Sequence, residues 1–164
     1  MKIRDAVIDD LPRIIEIYNS TILSKKVTAD IELVTIEDKL NWFYQHTPSR
    51  RPLWVAETEH NIIGWISFQD FYGRPAYSGT SEISIYIDEN YRKKGFGKRM
   101  LTYAFIHCHQ LKIDTLLGFI FEENLESIRL FKSLGFNEWG HLPAIANMGN
   151  HKLGLKIFGK KINQ

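Results

Sequence analysis

One stretch constrains this chain more than any other: Ser84-Ile85-Tyr86-Ile87-Asp88-Glu89-Asn90-Tyr91-Arg92-Lys93-Lys94-Gly95-Phe96-Gly97-Lys98. Ile83, Ile85 and Ile87 alternate with Glu82, Ser84 and Tyr86, the period of a strand with one buried face. After it, Leu101, Ala104, Phe105 and Cys108 recur at helical spacing. Between strand and helix lies a basic Arg-x-x-Gly-x-Gly turn. Its glycines let successive backbone N–H groups converge, and the helix start adds a partial positive charge. Arg92, Lys93, Lys94 and Lys98 add full charges. The expected guest is a diphosphate.

What the turn lacks narrows the carrier of that diphosphate. A nucleotide-triphosphate loop needs glycines five positions apart followed by Lys and Ser or Thr, whereas Lys98 follows Gly-Phe-Gly and precedes Arg99. A dinucleotide fingerprint needs a third glycine where Met100 stands and an opening beside the first strand of the domain. Coenzyme A remains, with its extended arm along the strand and its diphosphate on the turn.

The chain has 164 residues, 44% hydrophobic and 24% charged, which suits one globular domain over residues 1–164. A net charge of +2 gives no field on the scale nucleic acid requires, and the four tryptophans are spread through predicted elements rather than set out as a base-stacking platform. Cys108 is the only cysteine, so no intramolecular disulfide can form. No leader and no long apolar run is evident, and a cytoplasmic protein without membrane contact is expected. His107, Cys108 and His109 are consecutive, and helix neighbours point about 100° apart, so no metal site is expected there.

Pattern and turn signals predict strands at Lys2–Ala6, Leu53–Thr58, Ile62–Gln69, through Ile87, Thr115–Phe121, Phe136–Pro143 and Leu153–Phe158. Helices are predicted after an Asp9/Asp10 cap, over Ile36–His46, after Gly97, and over Glu126–Leu134 with Gly135 closing the last. A turn is expected at Glu59-His60-Asn61, and surface loops at 48–52 and 73–79. The order is neither purely alternating nor segregated. It predicts an α/β fold of mixed α+β character, with a mostly antiparallel central sheet flanked by helices on both faces.

The Arg92-x-x-Gly95-x-Gly97 turn and the segment from Glu123 to Phe136 resemble the GNAT superfamily of N-acetyltransferases. Ile17-Tyr18-Asn19, Trp42-Phe43, Gly64-Trp65-Ile66-Ser67, Arg74-Pro75-Ala76-Tyr77 and Glu82 to Ile87 are similar to the phosphinothricin and methionine sulfoximine branch. The resemblance covers about Ile3 to Ile162 and implies acetyl transfer from acetyl-CoA to the primary amine of a small amino acid or analogue. It implies Glu82 as general base, and cofactor contacts from Ile85, Tyr86, Ile87, Arg92, Lys93, Lys94, Gly95, Phe96, Gly97, Lys98, Asn124 and Ser127. Arg74 and Tyr77 are the expected acceptor residues, since a guanidinium holds a carboxylate in two hydrogen bonds. A homodimer is expected, because in such relatives this loop reaches the acceptor, sometimes across a dimer interface. Two departures stand out. Phe131 occupies a position where many members place a tyrosine that protonates the departing thiolate, and the arginine at Tyr72 and the Asp near Gly154 usual in relatives are missing. Acetylation of a protein N-terminus or lysine, or acyl-CoA binding without catalysis, stand as alternatives.

Overall fold

The alternation of Ile83, Ile85 and Ile87 with Glu82, Ser84 and Tyr86 sorts the molecule into layers. The structure, a computed structural model, describes residues 1–59 and 61–162. In chain order the elements are β1 (Lys2–Asp5), α1 (Leu11–Ile22), α2 (Ile36–Tyr44), β2 (Leu53–Thr58), β3 (Asn61–Asp70), β4 (Thr80–Ile87), α3 (Phe96–His107), β5 (Thr115–Phe121), α4 (Leu125–Ser133), β6 (Asn137–Asn147) and β7 (Lys152–Lys161). The seven strands form one sheet in the order β1-β2-β3-β4-β5-β7-β6. Ile66 lies opposite Ile85 and Phe68 opposite Ile83, while Trp65, Ser67 and Gln69 lie opposite Tyr86, Ser84 and Glu82. The first set packs against Met100, Leu101 and Ala104 of α3 and Ile128 and Phe131 of α4. On the other face Val55, Trp65 and Tyr86 meet Ile14 and Ile17 of α1 and Trp42 and Phe43 of α2. Helices therefore cover both faces, as the element order predicts.

Every neighbouring pair is antiparallel except β4 and β5. Those two run parallel, joined through the α3 crossover, and pair only at Thr80 with Thr115, Ser81 with Leu116 and Glu82 with Leu117. Beyond Glu82, β4 stays paired with β3 as far as Ile87, and β5 stays paired with β7 as far as Phe121. The gap between them is thus held open from both sides.

Local chemistry sets the helix ends. The Thr35 hydroxyl accepts from the Asp38 N–H (3.2 Å), and the Asp38 carboxylate accepts from the Thr35 N–H (2.8 Å), a reciprocal cap on α2. After α4, Gly135 turns left-handed (φ 81°), the Phe136 N–H reaches the Phe131 carbonyl (3.2 Å), and the two rings meet at 4.7 Å. That is the hydrogen-bond pattern of a glycine-terminated helix, and it is why Leu134-Gly135-Phe136 ends one.

Two expectations shift. Asp10 does not cap α1. Its carboxylate accepts from the Val7 N–H (2.8 Å) and from both terminal nitrogens of Arg4 (2.6 and 3.0 Å), so it fixes the entry from β1. The strand expected to stop at Pro143 continues to Asn147, because the proline falls in an irregular stretch between Leu142 and Ala146 where the ladder needs no N–H. The turn expected at Glu59-His60-Asn61 includes His60, which lies outside the described residues; Asn61 opens β3. Among the described residues no helix is long and apolar enough to cross a membrane.

Asp88, buried at the end of β4, locks that strand in place. Its backbone N–H donates to the Ile63 carbonyl (2.9 Å), its carboxylate accepts from the Asn90 N–H (2.8 Å), and Arg13 of α1 donates to it. Burial pushes this carboxyl up, but the Asn90 N–H and the Arg13 guanidinium outweigh it and hold it below the usual carboxylate range. A depressed folded value contributes stability above the unfolded pKa of about 3.9. That contribution is lost as pH falls through the folded value. Asp88→Asn should therefore lower stability at pH 7 by about 1.5–3 kcal/mol. Urea unfolding should show the gap between variant and wild type closing below about pH 4.

Candidate active site

The basic turn is built for an anion. After β4, Lys93 (φ 59°) and Gly95 (φ 81°) take left-handed conformations that re-aim the backbone, and α3 begins at Phe96. Only glycine adopts the second without strain. The Arg99 N–H is the first to reach back, to the Gly95 carbonyl (3.2 Å), and the amides before it have no partner inside the helix. Gly97 serves differently. A Cβ there would stand 2.9 Å from Leu130 Cδ2 and 3.2 Å from Ile87 Cδ1, so its bareness brings α3 close to β4 and α4. Arg92 anchors the approach by donating from Nε to the Ile87 carbonyl (3.0 Å).

A channel of about 390 Å³ opens on this turn. Ile85, Tyr86, Ile87, Arg92, Lys93, Gly95, Gly97, Lys98, Asn124 and Ser127 all line it. Two candidates stand apart: the Lys94 ammonium turns back to the Asn90 carbonyl (2.8 Å), and Phe96 packs beside Tyr91 against the core. Glu126 and Arg129 of α4 join the lining unforeseen. Free amides with Arg92, Lys93, Lys98 and Arg129 against the single Glu126 form a donor set suited to a diphosphate.

From there the path runs into the gap between β4 and β5. Because the Asp88 N–H points to β3, strand alternation turns the N–H groups of Ile87 and Ile85 the other way, into the gap. A small space of about 40 Å³ there is lined by Ser84, Gly118, Asn124, Ser127 and Phe131. Asn124 is held by capping α4, accepting from the Ser127 N–H at 3.2 Å. The buried Phe131 ring lies on Gly118, leaving no room for a side chain at that glycine, and offers no hydroxyl to the gap.

The path ends in a cavity of about 620 Å³ on the α1/α2 face. Its floor carries Glu82, Ser84 and Tyr86 of β4 with Ser67, Gln69 and Trp65 opposite. Tyr18 of α1, Lys39 and Trp42 of α2 and Val27 to Ala29 of the connecting loop form the roof. Tyr86 and Val27 line all three spaces, which therefore adjoin one another along β4. Tyr86 stacks on Trp65 (4.4 Å), and burial pushes its phenol up to about 12. The roof loop is pinned by several contacts, among them Tyr18 Oη, which donates to Asp30 (2.5 Å) and meets the Thr28 hydroxyl, and Lys26, which pairs with Glu123 (3.3 Å). Glu82 has no hydrogen-bond partner among the described residues, and burial raises its pKa. A carboxylate raised toward neutrality inside a cleft is suited to proton transfer.

Arg74 and Tyr77 are not brought to this cavity. They sit exposed on the β3–β4 loop, where Tyr77 contacts Phe71 and Tyr72, and neither lines the passage within one chain. Sequence reasoning missed Lys39, Tyr18 and the 27–29 segment as lining. Helical spacing holds the only signal: Lys39 precedes Trp42 by three residues and so shares its face. No group of His, Cys, Asp and Glu side chains that could hold a metal occurs among the described residues.

Comparison with known proteins agrees with this geometry. The family model described as acetyltransferase (GNAT) family matches residues 13–136. YwnH of Bacillus subtilis (strain 168), assigned by name to the phosphinothricin acetyltransferases, is 50% identical over 164 residues, covering 99% of this chain and 100% of that one. The L-methionine sulfoximine/L-methionine sulfone acetyltransferase of Pseudomonas aeruginosa (PAO1) is 28% identical over 87% of this chain and 84% of its own. A phosphinothricin acetyltransferase from Sinorhizobium meliloti, solved in complex with acetyl-CoA, superposes with a TM-score of 0.91 at 28% identity, over 99% of this chain and 88% of that one. A family match over most of the chain and a relative of 50% identity over its full length show that the chain belongs to the acetyltransferase (GNAT) family.

Proposed function

We propose that this chain transfers the acetyl group of acetyl-CoA to the primary amine of a small amino acid or amino-acid analogue, by direct attack, with Glu82 as general base. The observation that carries this reading is the row of adjoining spaces from the basic turn, along the β4–β5 gap, to the cavity holding Glu82. Relatives named for phosphinothricin and for methionine sulfoximine support the acceptor class. The roof of α2 and the α1–α2 loop favours a small acceptor over a protein chain.

Acetyl-CoA supplies an activated thioester carbonyl. The residues of the chain do the rest. Amides of the 92–98 turn hold the diphosphate with Arg92, Lys93 and Lys98, and the N–H groups of Ile85 and Ile87 steady the arm and the oxygen on which negative charge develops. Glu82 takes the proton from the ammonium, directly or through a water, so that nitrogen can attack. Phe131 donates nothing to the departing sulfur, which leaves as the thiolate, a tolerable leaving group because its conjugate thiol has a pKa of about 8.5, and takes its proton from water afterwards. Arg74 and Tyr77 enter the proposal through a homodimer, in which a second copy presents its β3–β4 loop at the cavity mouth. The buried Cys108, its thiol pushed by burial up to about 12, suits a reducing cytoplasmic setting.

Glu82→Gln should lower kcat/KM by about a hundredfold and flatten the fall in rate on the acid side, followed by thiol release from acetyl-CoA across pH. That fall should sit above the ordinary carboxylate range, because the Glu82 pKa is raised. Calorimetry with coenzyme A should separate two lysines. Lys98→Ala should raise Kd roughly three- to tenfold, whereas Lys94→Ala, whose ammonium is already turned to Asn90, should change it less than twofold.

A further inference from the structure

The acceptor cavity is lined by one anion and one cation. The anion is Glu82, on the sheet floor, and the cation is Lys39, on the α2 roof. Nothing in acetyl transfer to an amine requires that second charge, and a simple amine would be repelled by it.

The surroundings of Lys39 hold the ammonium in place and leave its donors free. Its Nζ lies 5.0 Å from the Tyr18 ring centroid and 6.0 Å from that of Trp42, within cation–π range. Asp30, the nearest carboxylate, is 3.7 Å away, beyond hydrogen-bond distance, and it already accepts from Tyr18 Oη at 2.5 Å. Among the described residues Lys39 therefore makes no hydrogen bond, although it is mostly shielded from solvent, with 26% of its side chain exposed. An ammonium lying over aromatic faces, loosely ion-paired with Asp30 at 3.7 Å and making no hydrogen bond, lines a largely apolar cavity where an oxyanion can take its N–H donors. The walls beside it, Trp42, Trp65, Phe119 and Phe121, would take an apolar side chain.

We propose that Lys39 holds the carboxylate of the acceptor. With Glu82 below and Lys39 above, the cavity discriminates for a zwitterion, taking its amine at the floor and its carboxylate at the roof. This inference rests on the acetyl-transfer reading above. It assigns carboxylate recognition to the chain that carries out the chemistry, and not to Arg74 on the exposed loop.

The test compares L-methionine with 3-(methylthio)propylamine, the same amine without the carboxylate, at saturating acetyl-CoA. Lys39→Met should raise KM for methionine about 10- to 100-fold with kcat nearly unchanged, while KM for the propylamine stays level or falls. Lys39→Arg, which keeps the charge, should restore KM for methionine to within about threefold of wild type. An equal rise for both amines would assign Lys39 a merely structural role. An unchanged methionine KM in Lys39→Met, or a carboxylate-specific loss in Arg74→Met alone, would overturn the proposal while leaving acetyl transfer to amino acids intact. Wild-type turnover of the propylamine but not of methionine would instead remove the amino-acid acceptor, and this inference with it.

Discussion

Three residue pairs of parallel ladder between β4 and β5, and no more, determine what this protein can do. A sheet satisfies its backbone by pairing, and a strand edge left open in mid-sheet is normally a liability. Here the open edge is protected because each strand keeps its outer partner, and because α3 and α4 flank the gap without filling it. An extended ligand arm with its own amides can complete the ladder. The passage from the basic turn to Glu82 exists because this ladder stops at Glu82 and Leu117.

The remaining site features follow from how that gap is kept in register. Asp88 ties the end of β4 to β3 and to α1, which sets the direction in which the Ile85 and Ile87 amides point. Arg92 occupies the Ile87 carbonyl and so commits its own position to the mouth of the gap. Gly97 allows α3 to start against β4, which brings the free amides of its first turn to the same mouth. On the far side, Tyr18, Trp65 and Tyr86 pack against one another along the larger cavity, and burial there raises the Glu82 pKa.

Much of this was legible in the residues, because local rules and tertiary needs coincide there. The alternation at 82–87 is visible because one face meets α3 and α4 while the other borders the cavity. Leu134-Gly135-Phe136 reads as a helix end because its hydrogen bonds and its ring contact lie within six residues. Legibility fails where a side chain serves a distant partner. Asp10 resembles a helix cap in sequence yet is taken by Arg4, and Pro143 resembles a strand stop yet falls in a bulge. Lys39 went unread, since nothing within α2 shows that its ammonium lies over the Tyr18 ring of another helix. Arg74, a plausible ligand by residue type, lies on the exposed β3–β4 loop, and its sequence alone does not say that nothing within one chain brings it to the cavity.

The central claim is that the parted strands β4 and β5 receive the acyl donor. A crystal structure with coenzyme A bound tests it most directly. The account predicts the diphosphate on the amides of residues 92–98, the extended arm hydrogen-bonded to β4 through Ile85 and Ile87, and the sulfur at the junction with the Glu82 cavity. Coenzyme A bound on another surface, or β4 and β5 zipped together beyond Glu82 and Leu117 with the arm excluded, would contradict it.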